Sequence, residues 1–221
     1  MPNSIWSPNP YFRGPPDEPD DFVEKHARTL LGRAKVPRSG LLLDLGAFRG
    51  RHGEILRETA TKLGARVLNV DGPWALEHLR YAKNRTGIDF IVADLGDLSD
   101  IATGQAVGAL AWRSLHTRTE SPEALSRAIG ELSRVLAVGA VALISVRGDA
   151  SVIGDQPQIR RTEVRNMTRT DYYFGPPSLQ ALFPPTLEVI RPIEWTEGYD
   201  LFADGTRVAN CYLTVTVERR P

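Results

Sequence analysis

Apolar and polar residues follow one another along the chain in blocks that predict strands and helices in turn. Short apolar runs, typical of buried strands, alternate with blocks that place apolar residues every three or four positions, typical of amphipathic helices. The predicted strands are residues 41–45, 66–70, 89–93, 106–111 and 140–146. The predicted helices are residues 20–34, 52–63, 74–83 and 122–136. This alternation favours a doubly wound α/β fold, a mostly parallel sheet with helices on both faces.

The two ends of the chain depart from this pattern. Residues 1–20 carry six prolines and predict an extended arm, so that a single domain spans 21–221. Residues 147–175 have no clear period and are rich in arginine. A short helix at 178–183 and strands at 187–195 and 207–218 close the chain. The Asp204-Gly205 turn signal between these strands predicts that they pair antiparallel.

Composition narrows the class of protein. Lys plus Arg and Asp plus Glu both total 27 in 221 residues, so we expect no nucleic-acid partner. A single cysteine, Cys211, rules out an intrachain disulfide and is expected to be a small core residue of the last strand. Neither a secretory signal nor an apolar run of the ~20 residues that span a bilayer is visible. We therefore expect a cytoplasmic protein without a membrane partner.

Three acidic residues lie where predicted strands end: Asp44, Asp71 and Asp94. The carboxyl ends of parallel strands share one edge of the sheet, where nucleoside-bearing cofactors bind in open α/β folds. After Asp44 comes a glycine turn that leads into a helix N-terminus. A carboxylate at the tip of the second strand can accept both ribose hydroxyls, and Asp94 with Leu95 suits an adenine.

Four segments resemble the motifs of class I S-adenosylmethionine-dependent methyltransferases. DLGAFRGRH at 44–52 resembles the D-L-G-x-G-x-G-R-x loop of that family, and VDGPWAL at 70–76 resembles V-D-x-S-x-x-x-L. VADL at 92–95 is similar to A-D-x, and ELSRVLAVGA at 131–140 to E-x-x-R-V-L-x-P-G-G. The resemblance implies a Rossmann-like methyltransferase fold with a seven-stranded sheet and a reversed C-terminal strand. It also implies S-adenosyl-L-methionine as the cofactor.

The resemblance assigns a cofactor site residue by residue. Gly46 and Gly50 would let the backbone approach the methionine part, Asp71 would hold the ribose, and Asp94 with Leu95 the adenine. The full set of implied cofactor residues is Asp44, Gly46, Ala47, Phe48, Gly50, Arg51, Asp71, Gly72, Asp94, Leu95, Trp112 and Arg113. Trp112 and Arg113 would flank the adenine or the sulfonium end. A metal-assisted site would need a carboxylate where these two residues stand, so we expect no metal.

Phe48 departs from the family pattern, because it replaces the central glycine of the loop. Glycine at that position avoids a side chain directed at the cofactor and permits positive backbone dihedrals. Phe48 must therefore swing its ring away, reshape the loop or fill part of the cofactor space.

Candidates for the chemistry follow the fourth strand and precede the short helix. His116 is the best-placed proton acceptor, although it could equally cap a turn. Tyr172, in the run Tyr172-Tyr173-Phe174, could form a substrate wall or stabilise a sulfonium by cation–π attraction, or simply pack in the core.

The remaining histidines and a group of arginines have less specific interpretations. His52 is interpreted as structural or cofactor-side, and His26 and His78 as residues of solvated helix faces. Four arginines before Tyr172 could attract an acidic substrate or be merely solvated: Arg160, Arg161, Arg165 and Arg169.

The sequence thus predicts methyl transfer to an oxygen or nitrogen of a small organic molecule. Two alternatives remain open: a non-methylating use of the sulfonium, such as intramolecular displacement or cyclisation, and a non-catalytic adenosyl-binding module with a degenerate pocket. A nicotinamide-dependent dehydrogenase is disfavoured, because Gly46, Gly50 and Gly53 give G-x-x-x-G-x-x-G rather than the dinucleotide fingerprint. The acceptor and the oligomeric state stay open.

Overall fold

The computed structural model describes residues 21–32, 34, 36, 39–115, 121–164, 167–201 and 207–221. Its helices are α1 Asp21–Leu31, α2 Gly53–Leu63, α3 Leu76–Thr86, α4 Pro122–Val135 and α5 Pro176–Gln180, with a 3-10 turn at Pro73–Ala75. Its strands are β1 Leu41–Leu45, β2 Arg66–Asp71, β3 Asp89–Val92, β4 Ala106–Ala111, β5 Leu136–Arg147, β6 Gln158–Val164, β7 Met167–Tyr173, β8 Leu187–Val189, β9 Glu194–Leu201 and β10 Arg207–Arg219. The arm predicted over residues 1–20 lies outside the described residues.

The main sheet runs in the order β3-β2-β1-β4-β5-β10-β8, and β9 pairs with β10 off this path. Strands β1 to β5 pair parallel to one another. Strand β10 is antiparallel to both β5 and β8, so it is the reversed strand of the path. The predicted α/β fold with seven strands and a reversed C-terminal strand is confirmed, and β9 adds an eighth strand.

Helices cover both faces of the sheet and divide its core. One cluster packs α1 and α2 on the sheet through residues that include Leu42, Leu110 and Leu143. The other packs α4 on the opposite face, against residues that include Leu43 and Ile144. Since side chains alternate along a strand, Asp44 belongs to the α1 and α2 face with Leu42.

Local sequence signals explain the element boundaries nearest the site. Helix α2 ends at Gly64 in the left-handed conformation, with φ 65°, as the sequence predicts. Ser121 is the N-cap of helix α4: its Oγ accepts a hydrogen bond of 3.2 Å from the amide of Ala124. Strand β4 packs closely on β1 at Gly108, where an added Cβ would meet Leu42 Cδ1 at 2.9 Å.

Three parts of the C-terminal region differ from the sequence prediction. Strand β5 starts at Leu136, directly after α4, rather than at residue 140. The segment predicted as one strand over 187–195 is interrupted around Pro192, which cannot donate to a ladder, and its two halves become β8 and β9. The arginine-rich segment contains an antiparallel hairpin of β6 and β7, and its polar sequence lacks the apolar alternation that reveals a half-buried strand.

The first half of β10 projects beyond the carboxyl end of β5. Tyr212 lies opposite Arg147, the last residue of β5, and residues 207–211 continue against β9, with one further backbone hydrogen bond of 3.0 Å from the amide of Gly148 to the carbonyl of Cys211. Cys211 belongs to this projection and is exposed, so the expectation that it is a core residue is wrong. Among the described residues, no helix is both long and apolar enough to cross a membrane.

Candidate functional site

The loop after β1 is held in a tight left-handed path. Gly46, Phe48 and Gly50 have φ values of 75°, 49° and 67°. A Cβ on Gly46 would lie 2.2 Å from Ser114 Cβ, and one on Gly50 would lie 2.9 Å from Ala82 Cβ. Only glycine fits at these two positions, since the loop is pressed between the segment after β4 and helix α3. Ala47, between them, is buried in a small cluster under the loop.

Asp71 ties this loop to the end of β2. Its carboxylate is fully buried. Oδ2 accepts a hydrogen bond of 3.0 Å from the amide of Phe48, and Oδ1 accepts one of 2.8 Å from the amide of Gly72. Both oxygens of the predicted ribose ligand are therefore directed at backbone amides in this conformation.

Asp44 lies on the adjacent strand and is only 2% exposed. Burial raises the pKa of this carboxyl to about 7, Arg51 lowers it and Asp71 raises it further. Oδ2 has no hydrogen-bond partner among the described residues. A buried carboxylate in this state is energetically unfavourable unless a positive group approaches it.

Asn69 is a residue of this site that the sequence reasoning missed. It pairs in register with Asp44, is fully buried, and neither polar atom of its amide has a hydrogen-bond partner within the described part of the chain. A polar residue in the middle of an apolar strand is the signal that could have found it. Together Asp44 and Asn69 form a buried polar floor beneath Gly50, whose Cβ position lies 3.5 Å from Asn69 Nδ2.

Asp94 and Leu95 follow β3, as predicted. Asp94 is exposed and accepts a hydrogen bond of 2.7 Å from the amide of Gly96, which closes a local turn. Leu95 is buried in the core cluster on the α4 face. The carboxylate of Asp94 is therefore accessible at the same edge of the sheet as the loop after β1.

The ring of Phe48 is swung towards α3. It lies 5.8 Å from the Trp74 ring, nearly parallel to it at 14°, and 4.0 Å from the His78 ring. His78 is half-buried in this contact, so the expectation that it lies on a plain solvated face is wrong. Burial lowers the pKa of His78, Arg49 lowers it further and Glu77 opposes them.

Trp112 and Arg113, the two residues that follow β4, lie in different environments. Trp112 is 4% exposed and stacks on Phe22 of α1 at 5.1 Å between ring centroids. Arg113 is partly exposed, has a φ of 53°, and holds its guanidinium carbon 4.5 Å from the Tyr212 ring centroid. Trp112 is thus a residue of the α1 core, whereas Arg113 reaches over the sheet towards β10.

His52 precedes α2 and is buried. Burial lowers the pKa of its imidazole well below the ordinary value, and Arg51 and Arg113 lower it further. The ring is therefore neutral at neutral pH. Arg51 lies close enough to influence both His52 and Asp44.

Of the two predicted catalytic residues, the structure describes Tyr172 alone. His116 lies outside the described residues, as do the side chains of Arg160, Arg161, Arg165 and Arg169. Tyr172, at the end of β7, is half-buried and packs against the core cluster on the α4 face. Its contact with the core is the packing alternative that the sequence left open.

Sequence reasoning also missed two buried residues at the far side of this edge, Arg147 and Tyr212. Both are 1% exposed and they lie opposite each other on β5 and β10. Arg147 directly follows the apolar run of β5. A charged residue at the end of such a run, like Asp44 in β1, is the signal that could have identified Arg147 from the sequence.

Comparison with known proteins rests on structure alone. No protein-family model and no curated protein matches the chain. A SAM-dependent methyltransferase from Methanosarcina mazei matches with a TM-score of 0.63 and 15% identity, over 92% of this chain and 99% of that one. A protein solved in a study of the conversion of a disulfide bond into a thioacetal group during echinomycin biosynthesis matches with a TM-score of 0.67 and 19% identity, over 97% and 88%.

A third match carries bound ligands. The 1,6-didemethyltoxoflavin-N1-methyltransferase of Burkholderia thailandensis, solved with 1,6-didemethyltoxoflavin and S-adenosylhomocysteine, has a TM-score of 0.56 and 20% identity, over 91% of this chain and 80% of that one. Fold and sheet order together define the class: the chain has the Rossmann-like fold of S-adenosylmethionine-dependent methyltransferases.

Proposed function

We propose that the chain binds S-adenosylmethionine at the carboxyl edge of β1 to β3 and transfers its methyl group to an oxygen or nitrogen of a small organic molecule. The fold supports this proposal, as does the bound S-adenosylhomocysteine of the Burkholderia thailandensis neighbour. The substrate class and the attacked atom belong to the proposal, because fold alone does not define them.

The buried carboxylate of Asp44 is the observation that carries the proposal. Its Oδ2 is unpartnered within the described residues and its pKa is raised to about 7. A cationic ligand seated in the loop after β1 would offset the desolvation of this group. S-adenosylmethionine carries two positive groups, an ammonium and a sulfonium, so its methionine end fits the requirement.

Asp71 is the proposed ribose ligand. An ionised carboxylate offers about four lone-pair sites, and the amides of Phe48 and Gly72 use two of them. The carboxylate is fully buried here, so the ribose hydroxyls would replace partners that it has in this conformation, once the loop shifts enough to uncover it. Asp94 and Leu95 are the proposed adenine contacts, since Asp94 is exposed beside the buried leucine.

The protein does not need to activate the leaving group of the methyl transfer, because the bound sulfonium supplies an already activated methyl group. The chain must align the acceptor and, for a hydroxyl or ammonium nucleophile, remove a proton. His116 is the proposed proton acceptor from its position after β4. Tyr172 is proposed as a wall of the acceptor site. His52 is not a base candidate for a solvent-facing acceptor because it is buried.

Calorimetric titration with S-adenosylhomocysteine at several pH values tests the proposal. Because the ligand's ammonium favours ionised Asp44, whose pKa is about 7, binding at pH 6 should be about tenfold weaker than at pH 8. Asp44→Asn should bind weakly and lose this pH dependence, whereas the exposed control Asp100→Asn should match the parent chain. Absence of any heat at millimolar ligand would overturn the proposal.

A second candidate is the non-catalytic module with a degenerate pocket. The full burial of Asp71 behind two backbone amides favours it, because no ribose can reach the carboxylate in this conformation. Phe48→Gly discriminates: binding restored only in this variant would support the degenerate pocket. Product analysis separates methyl transfer from the non-methylating alternative, since methylthioadenosine or a cyclised product would replace S-adenosylhomocysteine.

A further inference from the structure

Asn69 is an unusual residue for its position in the sheet. It stands in the middle of β2, between Leu68 and Val70, although asparagine is depleted in strands. Its side chain is fully buried, and neither the nitrogen nor the oxygen of its amide has a hydrogen-bond partner within the described residues. A buried amide without a partner is costly, so its presence in this strand calls for an explanation.

The loop above Asn69 does not depend on this amide. Gly50 is the loop residue whose Cβ position lies 3.5 Å from Asn69 Nδ2. The amide of Gly50 donates a hydrogen bond of 2.8 Å to the carbonyl of Ala47. Its carbonyl accepts hydrogen bonds of 3.0 Å each from the amide of Gly53 and the guanidinium of Arg85. The backbone groups of Gly50 are therefore satisfied without Asn69.

Asp44 is the neighbour of Asn69 across the strand pair. The two residues lie opposite each other in the parallel register of β1 and β2. Because side chains alternate along a strand, neighbours in register leave the sheet on the same face. Asp44 is also buried, and its Oδ2 lacks a hydrogen-bond partner in the described part of the chain. Two buried polar side chains with unused hydrogen-bonding groups thus stand side by side.

The two side chains are chemically complementary. An ionised carboxylate only accepts hydrogen bonds, whereas the nitrogen of an amide side chain carries two donors. A protonated carboxyl would instead donate to the amide oxygen, so rotation of the amide by half a turn serves both states. A donor that bonds the charged form of a carboxyl favours that form and opposes the cost of burial. Asn69 is therefore placed to make an ionised Asp44 less unfavourable.

The charged groups nearest to Asp44 act in different directions. In the loop after β1, Arg51 lowers the pKa of Asp44, whereas Asp71 on β2 raises it. His52 is buried, and burial, Arg51 and Arg113 hold its pKa well below the ordinary value, so its ring is neutral at neutral pH. Strand β4, on the other side of β1, contains no ionisable residue.

The helices on this face keep their charged groups away from the interior. Every charged residue of α2 is exposed. In α1, Glu24 and Lys25 are exposed, and Arg28 pairs with Glu58 of α2 at 2.7 Å. His26, also in α1, is half-buried. The described part of these helices therefore brings no fully buried charge to the carboxyl.

We propose that Asn69 is a positioning residue for Asp44: its Nδ2 donates a hydrogen bond to the ionised carboxylate and holds it for the ammonium of the cofactor. This inference rests on the proposed function, in which Asp44 binds the methionine end of S-adenosylmethionine. The two side chains are not hydrogen-bonded to each other in this conformation, so the bond forms as Asp44 becomes ionised. Asn69 acts through Asp44 and does not contact the reacting atoms.

The pKa of Asp44, followed by carboxyl ¹³C NMR on ligand-free protein, tests the inference. Asp44→Asn assigns the signal. Asn69→Leu has a similar volume but no donor, and it should raise the pKa of Asp44 by about one unit. Asn69→Val should have the same effect. Asn69→Thr, which matches valine in shape but keeps a hydroxyl donor, should raise the pKa less.

Ser145→Ala is the matched control. Ser145 is fully buried, its Oγ lacks a partner within the described residues, and it lies on the same face as Leu143 of the α1 and α2 cluster. It belongs to β5, which β4 separates from β1. The pKa of Asp44 should therefore be the same in Ser145→Ala as in the parent chain.

The same variants connect the pair to the cofactor. A rise in the pKa of Asp44 from about 7 to about 8 would leave about one tenth rather than half of the carboxyl ionised at pH 7. Asn69→Leu should therefore bind S-adenosylhomocysteine about fivefold more weakly than the parent chain at pH 7, with the loss shrinking towards pH 9. In an Asp44→Asn background, Asn69→Leu should cause no such pH-dependent loss.

Three results would overturn the inference. The first is an unchanged pKa of Asp44 in both Asn69→Leu and Asn69→Val. The second is an equal shift in Ser145→Ala, and the third is an equal shift in Asn69→Val and Asn69→Thr, because packing rather than the donor would then set the pKa. If the parent chain does not bind S-adenosylhomocysteine, the proposed function fails, whereas the NMR titration on ligand-free protein still decides whether Asn69 acts on Asp44.

Discussion

Asp44 and Glu131 are two acids in motif-like segments with opposite surroundings. Glu131 forms an ion pair of 2.7 Å with Arg134 and accepts a hydrogen bond of 2.8 Å from the amide of Leu98. Arg134 in turn donates to the carbonyls of Leu98 and Ile101 at 2.9 and 3.0 Å. The Arg134 contact lowers the pKa of Glu131, whereas burial raises that of Asp44.

The difference separates an acid whose contacts stabilise the fold from one that we propose contacts a ligand. The Glu131–Arg134 pair clamps the loop after β3 onto α4, and its polar groups are satisfied within the chain. Asp44 sits beside Asn69 with buried polar atoms that lack partners in the described part of the chain. Most buried polar groups in folded proteins are hydrogen-bonded, so an unpartnered pair of side chains at a candidate site calls for an explanation, and a ligand contact is one.

The largest predicted effect is a gain of stability in Asp44→Asn. The Asp44 carboxyl has a pKa near 4 in the unfolded chain and about 7 in the folded chain. The folded state is therefore favoured most at acid pH, where the carboxyl is protonated, and this contribution to stability is lost as pH rises through 7. Ionisation of the buried carboxyl lowers the free energy of unfolding by up to about 4 kcal/mol at pH 8. Asp44→Asn should therefore be more stable than the parent chain by about 2–4 kcal/mol at pH 8, with the gain shrinking towards pH 4. Urea denaturation across this pH range measures it, and a gain independent of pH would contradict the burial argument.

Glu131→Gln should change stability in the opposite direction and by less. Its lowered pKa means that the ion pair contributes above pH ~4.3 and is lost as pH falls through the folded-state pKa. Because the pair is partly exposed, at 22% for Glu131 and 31% for Arg134, the loss at pH 7 should be about 1 kcal/mol. A double-mutant cycle with Arg134→Gln isolates the pair, and S-adenosylhomocysteine binding should stay within about threefold of the parent. A large loss of S-adenosylhomocysteine binding in Glu131→Gln would contradict the difference in role between Glu131 and Asp44.

The smallest effect concerns the loop above Asp44. Since Phe48 has a φ of 49°, Phe48→Gly should be more stable than Phe48→Ala by about 0.5–1 kcal/mol. Lys62, in the last turn of α2, provides the matched control, because there alanine should be more stable than glycine. Chemical denaturation of the four variants measures both differences. If alanine were more stable than glycine at position 48 as well as at position 62, the loop would have relaxed out of the left-handed conformation.

The sequence was most informative where periodicity and turn chemistry agree. Strand β4 matches its predicted bounds, 106–111, and α2 ends at Gly64 as predicted. The β6–β7 hairpin was not predicted, because a polar hairpin has no apolar alternation to reveal it. At the site, the positions of Asp44, Asp71 and the glycine loop were predictable from strand ends. The direction of the Phe48 ring was not, because it depends on contacts with Trp74 and His78, which only folding brings together.

The placement of β10 has a consequence for how the molecule assembles. It follows β8 in the chain yet lies between β8 and β5. Among the described strands, β10 alone pairs with β8 and with the outer edge of β5, so both lack that partner until β10 is inserted. Closure of the sheet is therefore a long-range event in folding, and the edge of β5 can pair with other strands until β10 docks.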